Sequence, residues 1–134
     1  MFVHLNTHSI YSPMRGLLSL PEMMDLAKSY SMDTLALTDV NGLWGFIRFV
    51  QHCRSSRINP IAGVNLITNK QEVLILVENQ CGYENLCRII SSMHDEPNGD
   101  IPDILRKYHS GVFVLSYNIS TLKELSSFIP NSHL

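Results

Sequence analysis

Short apolar segments alternate with amphipathic segments along the chain, and their spacing predicts the secondary structure. Apolar or alternating runs predict five strands, at residues 2–5, 34–38, 61–68, 72–77 and 112–116. Apolar residues at helical spacing predict a first helix after Ser19 and further helices at about 43–55, 82–93, 101–108 and 121–128. The alternation indicates an α/β protein with a largely parallel sheet and one possible hairpin at Asn69–Gln71.

Two Ser/Thr-to-Glu pairs have the spacing of helix capping boxes. Ser19 and Glu22 precede the first apolar helical pattern, and proline at position 21 is tolerated in a first turn. Thr121 and Glu124 have the same spacing before the last helix. We therefore expect the first helix to begin at Ser19 and the last at Thr121.

The length of the chain limits the fold. With 134 residues there is room for one ordinary domain, which we take to be residues 1–134. Closing a barrel of alternating strands and helices requires about 250 residues. The chain therefore provides roughly half of such a barrel.

Composition and charge exclude several classes of protein. The chain is 45% apolar and 16% charged, so it can bury a core and is not expected to be disordered. No secretory signal and no apolar run of membrane-spanning length occurs, which favours a cytoplasmic protein without a membrane partner. Three cysteines without CxxC spacing are expected to be reduced packing residues on helices: Cys53, Cys81 and Cys87.

The net charge of −2 provides no general attraction to nucleic acid. A local basic face remains open, because Arg48, Arg54 and Arg57 lie on or just after the helix predicted at 43–55. A solvated helix face is the favoured interpretation of these arginines, and a nucleic-acid patch is the alternative.

Polar residues follow three of the predicted strands. They are Asn6 to Ser9 after the first strand, Thr38-Asp39 after the second, and Asn65 in the third. In α/β folds the carboxyl ends of strands form the functional site, so we expect these three tips to converge.

Several motifs resemble those of a known family. FVHLNTHSIYSPMRG, ALTDVNGLWG and INPIAGVN are similar to HLHxHSxYSxxDG, ALTDHxxLxG and PIxGxE of the PHP (polymerase and histidinol phosphatase) family. GYENLCRIIS followed by GVFVLS resembles the polymerase group, the amino-terminal PHP domain of bacterial DNA polymerase III alpha subunits. The resemblance covers about residues 2–118. It implies part of a distorted, seven-stranded TIM-like barrel that binds metals at its strand ends and acts as a metal-dependent phosphoesterase.

The positions that the family uses for metal ligands are mostly changed. Expected ligands fall on residues that cannot replace them, namely Asn6, Arg15, Val40 and Asn65. His8 is retained and Asp39 lies beside a lost ligand, so these two form at most a vestigial metal site. A catalytic metal needs about three protein ligands, and the fixed positive charge of Arg15 repels a cation. We expect Arg15 to pair with Asp39 instead.

Two functions follow from the resemblance. The first is a degenerate, non-catalytic structural or interaction module related to DNA replication, without a cofactor. The alternative is a metal-dependent phosphoesterase acting on nucleic-acid ends or pyrophosphate, with zinc, manganese or magnesium. A catalytic triad of Ser9 or Ser12 with His8 lacks a carboxylate placed to orient the histidine. A polymerase palm cannot fit in the remaining chain, so the chain alone should not synthesise DNA.

The expected partners follow from an incomplete barrel. A half-barrel has open sheet edges, which template pairing with another chain, so a homodimer is expected. Other replication-protein subunits are further candidates. In the alternative, residues 120–134 fold back over the edge and the chain stays monomeric.

Overall fold

The computed structural model describes residues 2–97 and 99–134. In that part of the chain, five helices, four strands and a terminal 3-10 turn follow in this order: α1 Leu20–Ser29, β1 Thr34–Leu37, α2 Phe46–Ser56, β2 Asn59–Ile67, β3 Glu72–Val77, α3 Gln80–Asp95, α4 Ile101–Tyr108, β4 Val112–Leu115, α5 Ile119–Leu125 and the turn Asn131–His133. The chain divides into two compact units, Met1–Val64 and Asn65–Leu134.

The helix starts show which capping signals act. Glu22 accepts hydrogen bonds from the Ser19 backbone N–H (2.8 Å) and hydroxyl (2.6 Å), and these bonds hold the pKa of the Glu22 carboxyl below its usual value. The expected capping box at Thr121 is wrong, because α5 begins two residues earlier. There the Asn118 side chain accepts a hydrogen bond from the backbone N–H of Ser120 (2.9 Å), and asparagine is a strong N-cap.

The sheet is mixed, with strand order β1-β2-β3-β4. β1 and β2 pair in parallel, with Leu37 opposite Ala62, whereas β3 and β4 pair antiparallel, with Ile75 opposite Val114. The predicted hairpin is present, since the Thr68 N–H donates to the Gln71 carbonyl at 2.9 Å. A short turn of this kind joins only antiparallel strands. The sheet is therefore mostly antiparallel, and the prediction of a largely parallel sheet is wrong.

The amino-terminal segment does not form the regular strand expected at residues 2–5. It still lies alongside β1, because the Ala36 N–H donates to the His4 carbonyl (3.2 Å) and the Thr38 N–H donates to the Thr7 carbonyl (2.9 Å). These bonds bring the polar residues after position 5 to the carboxyl end of β1.

The core of the first unit lies between α1, α2 and β1. Phe49 and Cys53 of α2 are fully buried among apolar residues of α1 and β1. The Cys53 thiol lies 3.7 Å from the Met24 sulfur, and burial raises the pKa of Cys53 from 9.0 to about 11. Cys53 is thus the packing residue that the sequence predicts, whereas Cys81 on α3 is exposed and that prediction is wrong for it.

In the second unit, α3 packs against the apolar strands β3 and β4, and α4 packs against α3. Gly82 in the first turn of α3 contacts the backbone of Gly111, which has φ +74°. A Cβ at Gly82 would lie 1.7 Å from the Gly111 carbonyl oxygen, so this close packing requires glycine.

Among the described helices, none is both long enough and apolar enough to cross a bilayer.

Candidate functional site

Two of the three predicted strand tips meet in the first unit. The Thr7 N–H donates to the Thr38 hydroxyl oxygen (2.9 Å), and that hydroxyl lies within 3.0 Å of the Thr7 carbonyl. The same hydroxyl is 3.2 Å from the side-chain oxygen of Asn6. The Thr7 hydroxyl donates in turn to the Ala36 carbonyl. Thr38 therefore holds the amino-terminal segment against the end of β1.

Asp39 is the centre of a buried polar cluster, and only 1% of its surface is exposed. Its carboxylate accepts hydrogen bonds from the Ser9 backbone N–H (2.8 Å), the Ser9 hydroxyl (2.9 Å) and the Ser12 hydroxyl (2.7 Å). Both serines are buried as well. We call Ser9, Ser12 and Asp39 the serine–aspartate cluster.

The direction of each hydrogen bond in the serine–aspartate cluster is determined by its partners. A serine hydroxyl has one proton to donate and two lone pairs that can accept. Ser9 accepts from the Tyr11 N–H (3.2 Å) and Ser12 accepts from the Val40 N–H (2.9 Å), so each donates its own proton to Asp39. The carboxylate thus organises the loop from Ser9 to Ser12 and joins it to the end of β1.

The other predicted site residues lie in different surroundings. His8 is half-buried and lines an apolar cavity of about 230 Å³ in the first unit, together with His4 and residues of α1. Arg15 is exposed on its loop. The hydrogen bonds that Asp39 receives come from Ser9 and Ser12, and the exposed position of Arg15 does not fit the buried Arg15–Asp39 pair that was expected. Hydroxyls and a backbone amide satisfy the carboxylate.

The third predicted tip belongs to the second unit. Asn65 is buried there, and its side-chain amide donates to the Glu72 carboxylate at 2.9 Å across the β2–β3 hairpin. An amide at this position therefore stabilises the hairpin. Of the three tips expected to converge, two meet within the first unit: Asn6 to Ser9 and Thr38-Asp39.

The residues at the ligand positions do not fit a catalytic metal. Asn6 is a neutral donor, Val40 has no donor in its side chain, and Arg15 is a cation. Both oxygens of Asp39 already accept hydrogen bonds from serine. Within residues 2–97 and 99–134, no three His, Cys, Asp or Glu side chains come close enough to hold one metal ion.

Comparison with known proteins identifies the family. A family model described as the PHP domain matches residues 4–127. The chain belongs to the PHP domain family. The region that matches includes the amino-terminal segment, the serine–aspartate cluster and both strands β3 and β4.

Relatives of the PHP chain include alpha subunits of DNA polymerase III. DNA polymerase III subunit alpha of Bacillus subtilis is 31% identical over 123 residues, which is 86% of this chain and 11% of the relative. The protein of the same name from Borreliella burgdorferi is 30% identical over 141 residues, covering 90% of this chain and 12% of the relative. The chain thus spans about a tenth of the length of these relatives.

Solved structures share the fold of the PHP chain. One, from Bifidobacterium adolescentis, is described as a metal-dependent phosphoesterase. It has a TM-score of 0.53 and 11% identity, covering 69% of this chain and 32% of that one. An amidohydrolase from Chromobacterium violaceum has a TM-score of 0.55 and 23% identity, covering 71% of this chain and 34% of that one. At these identities the similarity concerns the fold.

Sequence reasoning missed the function of the two serines. It selected Asp39 because an acidic residue follows a buried strand, but it considered Ser9 and Ser12 only as members of a catalytic triad. A usable signal was that Ser9 and Ser12 are three positions apart in SIYS, in a loop punctuated by Pro13 and Gly16. Such spacing allows both hydroxyls to bond one acceptor.

Proposed function

We propose that this PHP domain is a non-catalytic structural or interaction module whose metal centre is lost, because Asn6, Arg15, Val40 and Asn65 stand where the family has metal ligands. The structural observation that supports the proposal is that, within residues 2–97 and 99–134, no three His, Cys, Asp or Glu side chains come close enough to hold one metal ion. The Asp39 carboxylate accepts hydrogen bonds from one N–H and two O–H donors, and these bonds stabilise its negative charge. It stabilises the loop instead of offering an open ligand to a metal.

The likeness to DNA polymerase III alpha subunits supports a place in DNA replication. Since the chain corresponds to about a tenth of those relatives, we propose that it contributes support or contacts to a larger replication assembly and has no polymerase activity itself. Other replication subunits are its proposed partners, besides a second copy of the chain.

The proposed homodimer uses the end of the sheet at β4. Leu115 of this strand is 38% exposed, and the residues that follow include Tyr117 and Ile119, which are 90% and 69% exposed. β4 contains no charged residue or proline, which are the usual protection of an edge strand. The carboxyl-terminal turn folds back as far as Phe113, whose ring stacks on His133 at 4.7 Å. Leu115 and the residues after it remain available for pairing.

A metal titration tests the proposed loss of the metal site. The purified protein is dialysed against a chelator and then titrated by calorimetry with Zn²⁺ and Mn²⁺, alongside a His8→Ala variant. We expect no binding at micromolar concentrations that depends on His8. Turnover of a generic phosphodiester is measured in parallel and is expected to equal the buffer rate.

The same titration separates the proposal from the phosphoesterase alternative. Stoichiometric metal binding that disappears in His8→Ala, together with metal-dependent turnover, would contradict the proposal and establish the alternative. Metal binding that persists in His8→Ala without turnover would come from surface groups elsewhere and would agree with the proposal.

A further inference from the structure

The outward face of α2 combines arginines with an exposed tryptophan. Five residues of this helix are exposed and lie along one side: Ile47, Arg48, Gln51, Arg54 and Ser55. Trp44 precedes the helix by two residues and is 58% exposed. An exposed indole next to guanidinium groups is the usual composition of surfaces that bind single-stranded nucleic acid. We call Trp44 and these five helix residues the α2 face.

Trp44 is held in one orientation although it is exposed. Its indole N–H donates to the Val40 carbonyl at 3.2 Å. Its ring lies against Gly42, where an added Cβ would come within 2.3 Å of the ring carbon Cε2. Glycine at position 42 is therefore required for the ring to lie against the loop. A ring fixed in this way loses little conformational entropy when a base stacks on it.

Arg48 is also positioned by a neighbour. Its guanidinium donates to the Tyr11 hydroxyl at 3.1 Å, and Tyr11 belongs to the loop that Asp39 organises. One bond uses one of the five N–H donors of the guanidinium, so the others remain able to bind a phosphate. Arg48 and Arg54 are six residues apart, which corresponds to about 9 Å along a helix axis. At about 3.4 Å per stacked nucleotide, that distance spans two to three nucleotides.

Charge is unevenly distributed in the first unit. From Val40 to Val64 there are three arginines and no aspartate or glutamate. The acidic residues of this unit lie elsewhere in the sequence, on or near α1 at Glu22, Asp25 and Asp33, with Asp39 buried in its cluster. The α2 face is therefore locally basic in a chain whose net charge is −2. The local positive charge of the α2 face favours binding of a polyanion there.

We propose that the α2 face binds single-stranded nucleic acid, with a base stacked on Trp44 and the phosphates of neighbouring nucleotides on Arg48 and Arg54. Stacking is available only when the base face is accessible, so a single strand is preferred over a duplex. Backbone phosphates supply the affinity, which therefore falls with salt. No metal takes part, so binding of nucleic acid to the α2 face does not depend on whether the protein binds a metal.

The single tryptophan of the chain gives a direct test, because fluorescence excited at wavelengths that the five tyrosines do not absorb reports on Trp44 alone. The protein is titrated with a 12-nucleotide oligothymidine at about 20 mM salt in EDTA. We expect saturable quenching with a dissociation constant in the micromolar range. Quenching is expected to fall with salt, with a slope of log K against log salt of about −0.7 for each phosphate contacted.

Variants identify the residues that bind, with anisotropy of a labelled oligonucleotide as the readout. Arg48→Ala and Arg54→Ala should each weaken binding at least threefold and reduce the salt slope by about 0.7. Trp44→Leu should weaken binding at least fivefold with the slope unchanged. Lys28→Ala is the matched control, since it removes one exposed cation from α1 in the same unit. Its binding should equal that of the unchanged protein.

Three results would overturn the proposal. The first is the absence of quenching at several hundred micromolar oligonucleotide. The second is an equal loss in Lys28→Ala and Arg48→Ala, which would indicate general charge attraction. The third is binding of duplex DNA, heparin or an acidic peptide as tight as that of the single strand, without a change in Trp44 fluorescence. Since EDTA is present throughout, none of these results bears on the proposed loss of the metal site.

Discussion

Replacing Asp39 by alanine should destabilise the protein far more than replacing an exposed carboxylate. The change leaves three buried donors without an acceptor: the Ser9 N–H and the hydroxyls of Ser9 and Ser12. Each buried donor left without a partner costs about 1–3 kcal/mol. The hydroxyls can rotate and water can enter the space, whereas the Ser9 N–H is fixed by the backbone. We therefore expect a loss of about 3–5 kcal/mol, a large part of the 5–15 kcal/mol typical of a domain.

Asp39→Asn provides a graded comparison. The remaining amide oxygen can still accept from the Ser9 N–H and the Ser12 hydroxyl. The new amide N–H group faces the Ser9 hydroxyl, which loses its acceptor at Oδ2 (2.9 Å) and keeps only the longer contact with Oδ1 (3.1 Å). One lost hydrogen bond corresponds to about 1–2 kcal/mol, less than the loss in the alanine variant.

Urea unfolding followed by circular dichroism measures both losses, with Asp25→Ala as the matched control. Asp25 is an exposed carboxylate on α1, and its replacement should change the free energy of unfolding by no more than about 0.5 kcal/mol. A loss below about 1 kcal/mol in Asp39→Ala, with an unchanged urea dependence, would show that the serine–aspartate cluster does not stabilise the fold.

Three further predictions concern reactivity, a surface cation and assembly. At pH 8 a thiol reagent should label Cys81 within minutes and leave Cys53 unmodified until the protein unfolds, and equal labelling of both thiols would contradict the burial of Cys53. Because burial raises the pKa of folded Cys53 to about 11, the stabilising contribution of the neutral thiol should be lost as pH rises from 9 towards 11. Arg15→Ala should cost less than about 1 kcal/mol in urea unfolding, since Arg15 is exposed, and a loss above about 3 kcal/mol would indicate a buried ion pair after all. Light scattering at high micromolar concentration should give twice the 15.2 kDa mass of the chain, with Leu115→Lys monomeric; a single 15.2 kDa species for the unchanged protein would exclude the dimer.

Much of the secondary structure could be predicted because local patterns determine it. The run Leu35-Ala36-Leu37 lies in a buried strand, and the segment from Ile101 to Tyr108 is a helix with the bounds expected. The direction of β4 was not predictable in this way. It depends on where α3 and α4 return the chain, which is a property of their packing and not of the strand sequence.

The site was only partly predictable for a similar reason. Asp39 was identified from its position after a buried strand, but its partner was expected to be Arg15 because opposite charges suggest a pair. The structure instead satisfies Asp39 with the hydroxyls of Ser9 and Ser12. Serine is common in loops, so its presence near an aspartate in the fold leaves little trace in the sequence.

In the proposed function, hydrogen bonds from serine, and not a metal, satisfy Asp39. A crystal structure grown with millimolar Zn²⁺ and Mn²⁺, with anomalous scattering recorded at both metal edges, tests it most directly. We expect no anomalous peak near the carboxylate, with the Ser9 and Ser12 hydroxyls still within about 3 Å of its oxygens. A peak about 2.0–2.2 Å from both an Asp39 oxygen and a His8 ring nitrogen, with the serine hydroxyls displaced, would contradict the account.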